Sequence, residues 1–135
     1  MLVRILGFLT LAAALCLGQS GSSIRGKLIQ PAGEDPYVEV SGHHVALEAD
    51  EDTWKVLRDE RLAGADVELL GTAKDADHFT VAGTELHPVF VWKNNKRLYV
   101  TYWCDVCYIR TYKPGNCWCC QKYTLLDLRE KLDDE

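Results

Sequence analysis

The spacing of the cysteines near the end of the chain restricts its fold more than any other feature. Cys104 and Cys107 form one C-x2-C pair, Cys117 and Cys120 form a second, and Cys119 lies inside the second pair. The intervening residues begin with β-formers and contain a Pro-Gly turn, which is typical of a hairpin. Two such pairs on the arms of a hairpin direct four thiolates to one centre. The spacing therefore predicts a structural Zn²⁺ site formed by Cys104, Cys107, Cys117 and Cys120, with Cys119 as an additional thiol.

Disulfides are an alternative for the same cysteines, since thiols in an oxidising compartment usually pair. These five thiols allow two disulfides in any of 15 arrangements, from five choices of the unpaired thiol and three pairings of the rest. A thiol–disulfide redox site is a further alternative, with Cys104 as the attacking thiol and Cys107 as the resolving thiol. Only 28 residues follow Cys107, too few to complete a thioredoxin-type fold. Tyr108 stands where haem attachment would need a histidine.

The N-terminal 20 residues are typical of a secretory signal peptide. Arg4 gives a basic start, residues 5–17 are uncharged and apolar almost throughout, and small residues between Gly18 and Ser23 suit signal peptidase. The apolar run is shorter than the roughly 20 residues that span a bilayer as a helix. We therefore expect an exported protein, periplasmic or secreted, with no membrane span in the mature chain. A retained N-terminal membrane anchor is the alternative.

The charge of the chain restricts its partners. The formal net charge is −5, and removal of the leader, which contains one arginine and no acid, makes it more negative. Nucleic acids and anionic membranes bind to basic patches, so neither is an expected partner. The partner itself is unknown, and a protein or a glycan is a possible ligand.

Short alternating segments separated by turn residues predict a mainly β fold. Strands are predicted at 24–30, 37–40, 43–48, 65–71, 79–82, 89–92 and 97–103, with an Asn-Asn hairpin turn before the last. A short helix is predicted at about 53–60, after an acidic start. The segment 62–72 resembles a strand of an oligonucleotide/oligosaccharide-binding (OB) barrel. We therefore expect a small, OB-like, partly closed β-barrel over residues 21–103, although an SH3-like barrel or a sandwich fits almost as well.

The remaining residues, 104–135, are predicted to form a Cys-rich hairpin and a short C-terminal helix that pack on the barrel. Thr124 and Asp127 fit a capping box at the start of a helix. Leu125, Leu128 and Leu132 would then share one helical face.

Aromatic and histidine side chains supply the other candidate sites. Tyr102, Trp103, Tyr108 and Trp118 crowd the cysteines and form a possible ligand surface, although covering the cluster is the simpler role. Four histidines are also candidates for metal binding, the adjacent pair 43–44 and the two at 78 and 87. Adjacent strand residues point to opposite faces, so the pair is expected to be exposed rather than to share an ion.

The sequences YWCDVC at 102–107 and CWCCQ at 117–121 resemble the C-terminal signature of a group of uncharacterised small exported bacterial proteins. The resemblance implies that the cysteine cluster is a shared feature, and it implies no activity or partner. No Ser-His-Asp pattern, phosphate loop or HExxH motif is present in the chain. We therefore expect a non-enzymatic domain with a four-cysteine zinc site. The alternatives are a disulfide-stapled or redox protein, and a ligand-binding module that uses the barrel and the aromatic side chains.

Overall fold

The computed structural model describes residues 22–132, which form nine strands, one α-helix and two 3-10 turns. The strands are β1 (Ser22–Ile29), β2 (Tyr37–Val40), β3 (His43–Glu48), β4 (Asp66–Ala73), β5 (His78–Val81), β6 (Val89–Lys93), β7 (Lys96–Cys104), β8 (Ile109–Thr111) and β9 (Leu125–Arg129). Helix α1 is Glu51–Leu57, and the 3-10 turns are Glu60–Leu62 and Thr84–Leu86. The predicted leader lies outside the described residues. Within residues 22–132, no helix is long and apolar enough to cross a membrane.

Five strands close into a barrel. Their order is β1-β2-β3-β5-β4, and β4 pairs with β1 to complete the circle. The β3–β5 pair is parallel, and the other pairs in the barrel are antiparallel. Helix α1 lies between β3 and β4 in sequence. The prediction of a mainly β protein with a small OB-like barrel is confirmed.

Two glycines allow neighbouring strands to approach closely. A Cβ atom on Gly26 of β1 would clash with the Glu39 carbonyl oxygen of β2. One on Gly71 of β4 would clash in the same way with the Thr80 carbonyl oxygen of β5. A strand glycine at such a position lets the sheet bend tightly, which a five-stranded closed barrel requires.

Every second side chain along the barrel strands points inward, and these side chains form the core. In β4, Val67 and Leu69 are fully buried, and Leu28 of β1 and Phe79 of β5 meet them inside. Helix α1 adds its buried residues to the same core. It begins at Glu51, two residues earlier than predicted, because the Asp50 side chain caps it by accepting a hydrogen bond from the Thr53 N–H at 2.8 Å.

Strands β6 and β7 extend the sheet beyond the barrel. Asn94 and Asn95 both have positive φ angles, 53° and 61°, so the predicted two-residue hairpin turn is present. The first half of β7 pairs with β6, and its second half pairs with β8 and with β9. Strand β7 ends at Cys104, one residue past the predicted boundary of the barrel. Residues 104–124 are called the Cys-rich segment below.

The predicted C-terminal helix is wrong, because residues 125–129 form strand β9. Its register against β7 runs from Trp103 opposite Leu125 to Tyr99 opposite Arg129. Thr124 does not cap a helix, since its hydroxyl donates to the Gly115 carbonyl oxygen at 2.9 Å. A helix of about eight residues is marginal in water, whereas pairing with β7 satisfies the backbone and packs two leucines of the strand against the core.

Candidate metal centre

Four cysteine sulfurs converge at the end of β7. The Sγ atoms of Cys104, Cys107, Cys117 and Cys120 all lie within 4.8 Å of one another. The four cysteines predicted from their spacing are therefore brought together, and the group can hold a metal ion. It is the one cluster of potential metal ligands found among residues 22–132.

The first C-x2-C pair forms a tight turn where β7 reverses into β8. The Tyr108 N–H donates to the Cys104 carbonyl oxygen at 2.9 Å, and Tyr108 has a φ angle of 56°. The N–H of Cys107 donates to the Cys104 Sγ at 3.4 Å. The left-handed residue after the second cysteine turns the backbone so that both sulfurs face the same side.

The second pair repeats this construction. The Gln121 N–H donates to the Cys117 carbonyl oxygen at 2.8 Å, and Gln121 has a φ angle of 64°. Below the turn, the Cys117 N–H donates to the Lys122 carbonyl oxygen at 2.8 Å, and Asn116 pairs with Tyr123. Two turns of the same shape thus approach each other with two sulfurs each, as a four-thiolate site requires.

Burial differs among the five thiols. Cys104 and Cys117 are each only 2% exposed, and Cys107 is half-buried. Cys120 is more exposed than the two buried cysteines, and Cys119 is exposed and outside the four-sulfur group. Two of the four convergent sulfurs are therefore shielded from solvent.

Backbone hydrogen bonds prepare one thiol to lose its proton. The backbone N–H groups of Cys107 and Val106 lower the pKa of the Cys104 thiol to about 7, in spite of its burial, which raises the pKa. The pKa of Cys107 is raised, first by the side chain of Cys119 and then by burial. Thiolates and not thiols are the metal-binding form, so Cys104 is the ligand most readily available near neutral pH.

Basic side chains lie beside the cluster. The Lys122 Nζ is 2.7 Å from an Asp105 carboxylate oxygen, and the pKa of Lys122 is raised by Asp105 and, to a smaller extent, by Cys104 and Cys120. Arg110 is held by the carboxylate of Asp127, 2.7 Å away. Lysine therefore offsets part of the negative charge that a metal tetrathiolate would carry.

A buried network that sequence reasoning missed attaches the Cys-rich segment to the barrel. The Tyr102 hydroxyl donates to Asp59 Oδ2 at 2.9 Å, and Arg61 donates to both oxygens of the same carboxylate. Arg61 also reaches the Thr124 carbonyl oxygen at 3.0 Å. The pKa of Asp59 is lowered: its burial opposes this, and the hydrogen bonds from Arg61 and Tyr102 outweigh the burial.

The four aromatic residues of the predicted ligand surface differ in how far they are buried. Tyr102 is fully buried and is not part of any surface, whereas Tyr108 and Trp118 are 76% and 72% exposed. Trp103 is half-buried. The strand period offered a signal for Tyr102, since it shares a face of β7 with the buried Val100 and Cys104.

The histidines lie apart from the cysteine group. The His43 Nε2 is 2.6 Å from an Asp77 oxygen, His78 Nδ1 is 2.8 Å from an Asp75 oxygen, and both histidines are exposed. His44 is also exposed and stacks on Tyr37, and His87 packs on Tyr112. Neither His78 nor His87 adds a ligand to the cluster.

Comparison with known proteins does not assign the chain to a family. No protein-family model, no curated protein and no solved structure matches it. The geometry of the cluster is therefore the basis for any functional conclusion.

Proposed function

We propose that this chain is an exported, non-enzymatic domain whose Cys-rich segment is held by a structural zinc ion. The ligands are the thiolates of Cys104, Cys107, Cys117 and Cys120. One observation carries the proposal: two backbone turns of the same shape bring these four sulfurs within 4.8 Å of one another.

The sulfur separations suit a tetrahedral ion. Four Zn–S bonds of about 2.3 Å place neighbouring sulfurs about 3.8 Å apart. The Cys104 and Cys120 sulfurs are 3.5 Å apart, and the largest separation in the group is no more than 4.8 Å. Small side-chain rotations would therefore complete the coordination without movement of the backbone.

The ligand set favours zinc and a structural role. Four thiolates in tetrahedral geometry select zinc or iron–sulfur chemistry. Four protein ligands also leave no open position for a water or a substrate, which distinguishes structural zinc sites from catalytic ones. This closed coordination supports a non-enzymatic function.

A metal would stabilise the Cys-rich segment, which has few buried side chains of its own. This segment contributes to the core mainly through the two buried cysteines, and several of its large side chains are exposed. Structural zinc contributes folding free energy of about 10 kcal/mol in peptide models. The ion would thus order residues 104–124 against the barrel.

Metal analysis of the exported, unreduced protein tests the proposal. Native mass spectrometry should show one zinc ion per chain, and elemental analysis should distinguish zinc from iron. Replacement of either Cys117 or Cys120 by serine should abolish stoichiometric binding, because three thiolates remain. The matched control is Cys119→Ser, which should keep one ion per chain. A wild-type mass that lacks metal and four hydrogens would show that the cluster holds two disulfides instead.

Export has its own test. The protein recovered from outside the cytoplasm should begin between residues 19 and 23, as N-terminal sequencing would determine. Recovery of the intact chain in the membrane fraction would support the retained anchor instead.

A further inference from the structure

A small cavity lies where helix α1, the turn before β6 and the Cys-rich segment meet. The space in it that is open to the centre of a water-sized sphere is about 20 Å³. Three almost fully buried valines contribute to its apolar wall, Val56, Val89 and Val100. The residues with polar groups around it are Thr53, Thr84, His87 and Tyr112. In such an apolar setting each polar atom needs a hydrogen-bond partner.

His87 contributes a polar atom that needs a partner. Its ring Nδ1 atom is buried and has no hydrogen-bond partner among residues 22–132. The backbone of His87 has a φ angle of 48°, and its N–H donates to the Thr84 carbonyl oxygen at 3.0 Å. The ring packs on the ring of Tyr112, with 3.8 Å between the two centroids. These contacts hold the imidazole beside the cavity, where an unpaired nitrogen lowers stability unless a partner is bound.

The hydroxyl of Thr53 contributes a second polar atom. The Thr84 hydroxyl donates to Asp50 Oδ1, and Thr84 Oγ1 is 3.0 Å from Thr53 Oγ1. Because the Thr84 hydrogen is used in the bond to Asp50, the Thr53 hydroxyl donates to Thr84 Oγ1. The Thr53 oxygen then keeps a lone pair for another donor, in a residue that is only 1% exposed.

We propose that this cavity is a binding site for one water molecule, which joins the His87 Nδ1 atom to the Thr53 hydroxyl oxygen. A cavity needs about 10–15 Å³ on this measure to hold a water. The 20 Å³ present is enough for one molecule and leaves little room for a second. A water donates one hydrogen to Thr53 Oγ1, and it can donate to or accept from Nδ1, so both tautomers of the ring are satisfied.

The size and the wall of the cavity exclude other occupants. An organic ligand of several heavy atoms needs more space than one water does. No acidic side chain of the described residues lines the cavity, so a metal cation would have no charged ligand there. The water would join α1 to the turn before β6, at the place where Tyr112 of the Cys-rich segment covers the barrel.

A high-resolution crystal structure of the full chain tests the site. Density for one water is expected within hydrogen-bond distance, roughly 2.7–3.2 Å, of both the His87 Nδ1 atom and the Thr53 Oγ1 atom. Its B-factor should be close to those of the surrounding side chains, because a buried water with fixed partners is well ordered. Absence of density between these two atoms would overturn the proposal.

Two substitutions at one position test the bridge. Thr53→Val keeps the shape of the side chain and removes the hydroxyl, so the water density should be lost. Thr53→Ser is the matched control, because it keeps the hydroxyl and should keep the water. The backbone N–H of residue 53, which donates to Asp50, is present in both variants. Density of wild-type strength in Thr53→Val would overturn the bridge.

His87→Phe tests the other end of the bridge, and it does so even if Thr53→Val does not fold. The substitution keeps an aromatic ring beside Tyr112 and removes Nδ1, so the water should again be lost, and its retention would overturn the role of His87. These results are separate from the zinc proposal. A structure with metal in the cysteine cluster but without this water would contradict the water site alone.

Discussion

Replacement of Tyr102 by phenylalanine tests the network that joins β7 to the residues after α1. The substitution removes only the hydroxyl, which donates to Asp59 Oδ2 at 2.9 Å in a fully buried position. The ring stays in the core, so no cavity forms. The acceptor is a carboxylate that is 8% exposed, and solvent cannot readily replace the lost donor.

The expected cost follows from the partners that remain. A hydrogen bond to a charged group contributes about 1.5–3 kcal/mol to the free energy of unfolding. Arg61 still donates to the same Oδ2 from Nε at 3.1 Å and from Nη2 at 2.9 Å. We therefore expect the lower end of that range, about 1.5 kcal/mol, or a fall in Tm of about 6 °C for a domain of this size.

Urea unfolding followed by circular dichroism measures this cost. Tyr108→Phe is the matched control, because Tyr108 is 76% exposed and the same change there should alter stability by less than about 0.5 kcal/mol. A cost for Tyr102→Phe no larger than that of the control would refute the reasoning that the buried hydroxyl stabilises Asp59.

The pH dependence supplies a second check on the same contact. The pKa of Asp59 is lowered from 3.8, so its stabilising contribution is present above that value and is lost as the pH falls through the lower pKa of the folded state. Tyr102 itself stays protonated, since burial and the Asp59 charge raise its pKa well above 10.0. The difference in stability between the wild type and Tyr102→Phe should therefore shrink below pH 3.8.

Three further substitutions test the barrel, the hairpin and the helix cap by urea unfolding. Gly71→Ala should lower the free energy of unfolding by about 2 kcal/mol, because the new Cβ would meet a backbone carbonyl of β5. Gly83→Ala is the control and should lower it by less than about 0.5 kcal/mol, because the new Cβ meets only a flexible carboxylate. Asn95→Gly should stabilise by about 0.5 kcal/mol, since glycine suits a φ of 61° better; a loss of stability would contradict the turn assignment. Asp50→Ala should lower the free energy of unfolding by about 1.5 kcal/mol, because the α1 cap and the contact with Thr84 are lost. An unchanged urea midpoint would contradict the role of Asp50 as the cap.

Local patterns were enough to predict most strands of the barrel. Alternation and turn residues act within a few positions, so the predicted segments overlap β1 to β7 closely. These local patterns gave less indication that the sheet closes into a barrel. Closure depends on pairing between β1 and β4, about 40 residues apart, and on the parallel pairing of β3 with β5. Local periodicity contains no information on such partners.

For the candidate site, the cysteine spacing correctly indicated which four sulfurs would meet. Each C-x2-C turn is a local structure, and the short link between them limits how far apart they can lie. The cysteine spacing did not predict the individual contacts across the turns. Only the folded chain shows that Cys104 lies against Cys120 and that the Tyr102 hydroxyl reaches Asp59. The spacing does not say which sulfurs of the two turns face each other, and Tyr102 and Asp59 are 43 residues apart in the sequence.

In residues 104–129, the sequence by itself determined one feature and the whole fold decided another. The sequence alone determined a four-thiol cluster with one thiol beside it, because backbone turns of four residues set those positions. The tertiary structure decided that residues 125–129 form a strand. The leucines of this segment fit the alternation of a strand as well as one face of a helix. The edge of β7 that would otherwise lack a partner supplies backbone hydrogen bonds to the strand, whereas an isolated helix of this length is marginal in water.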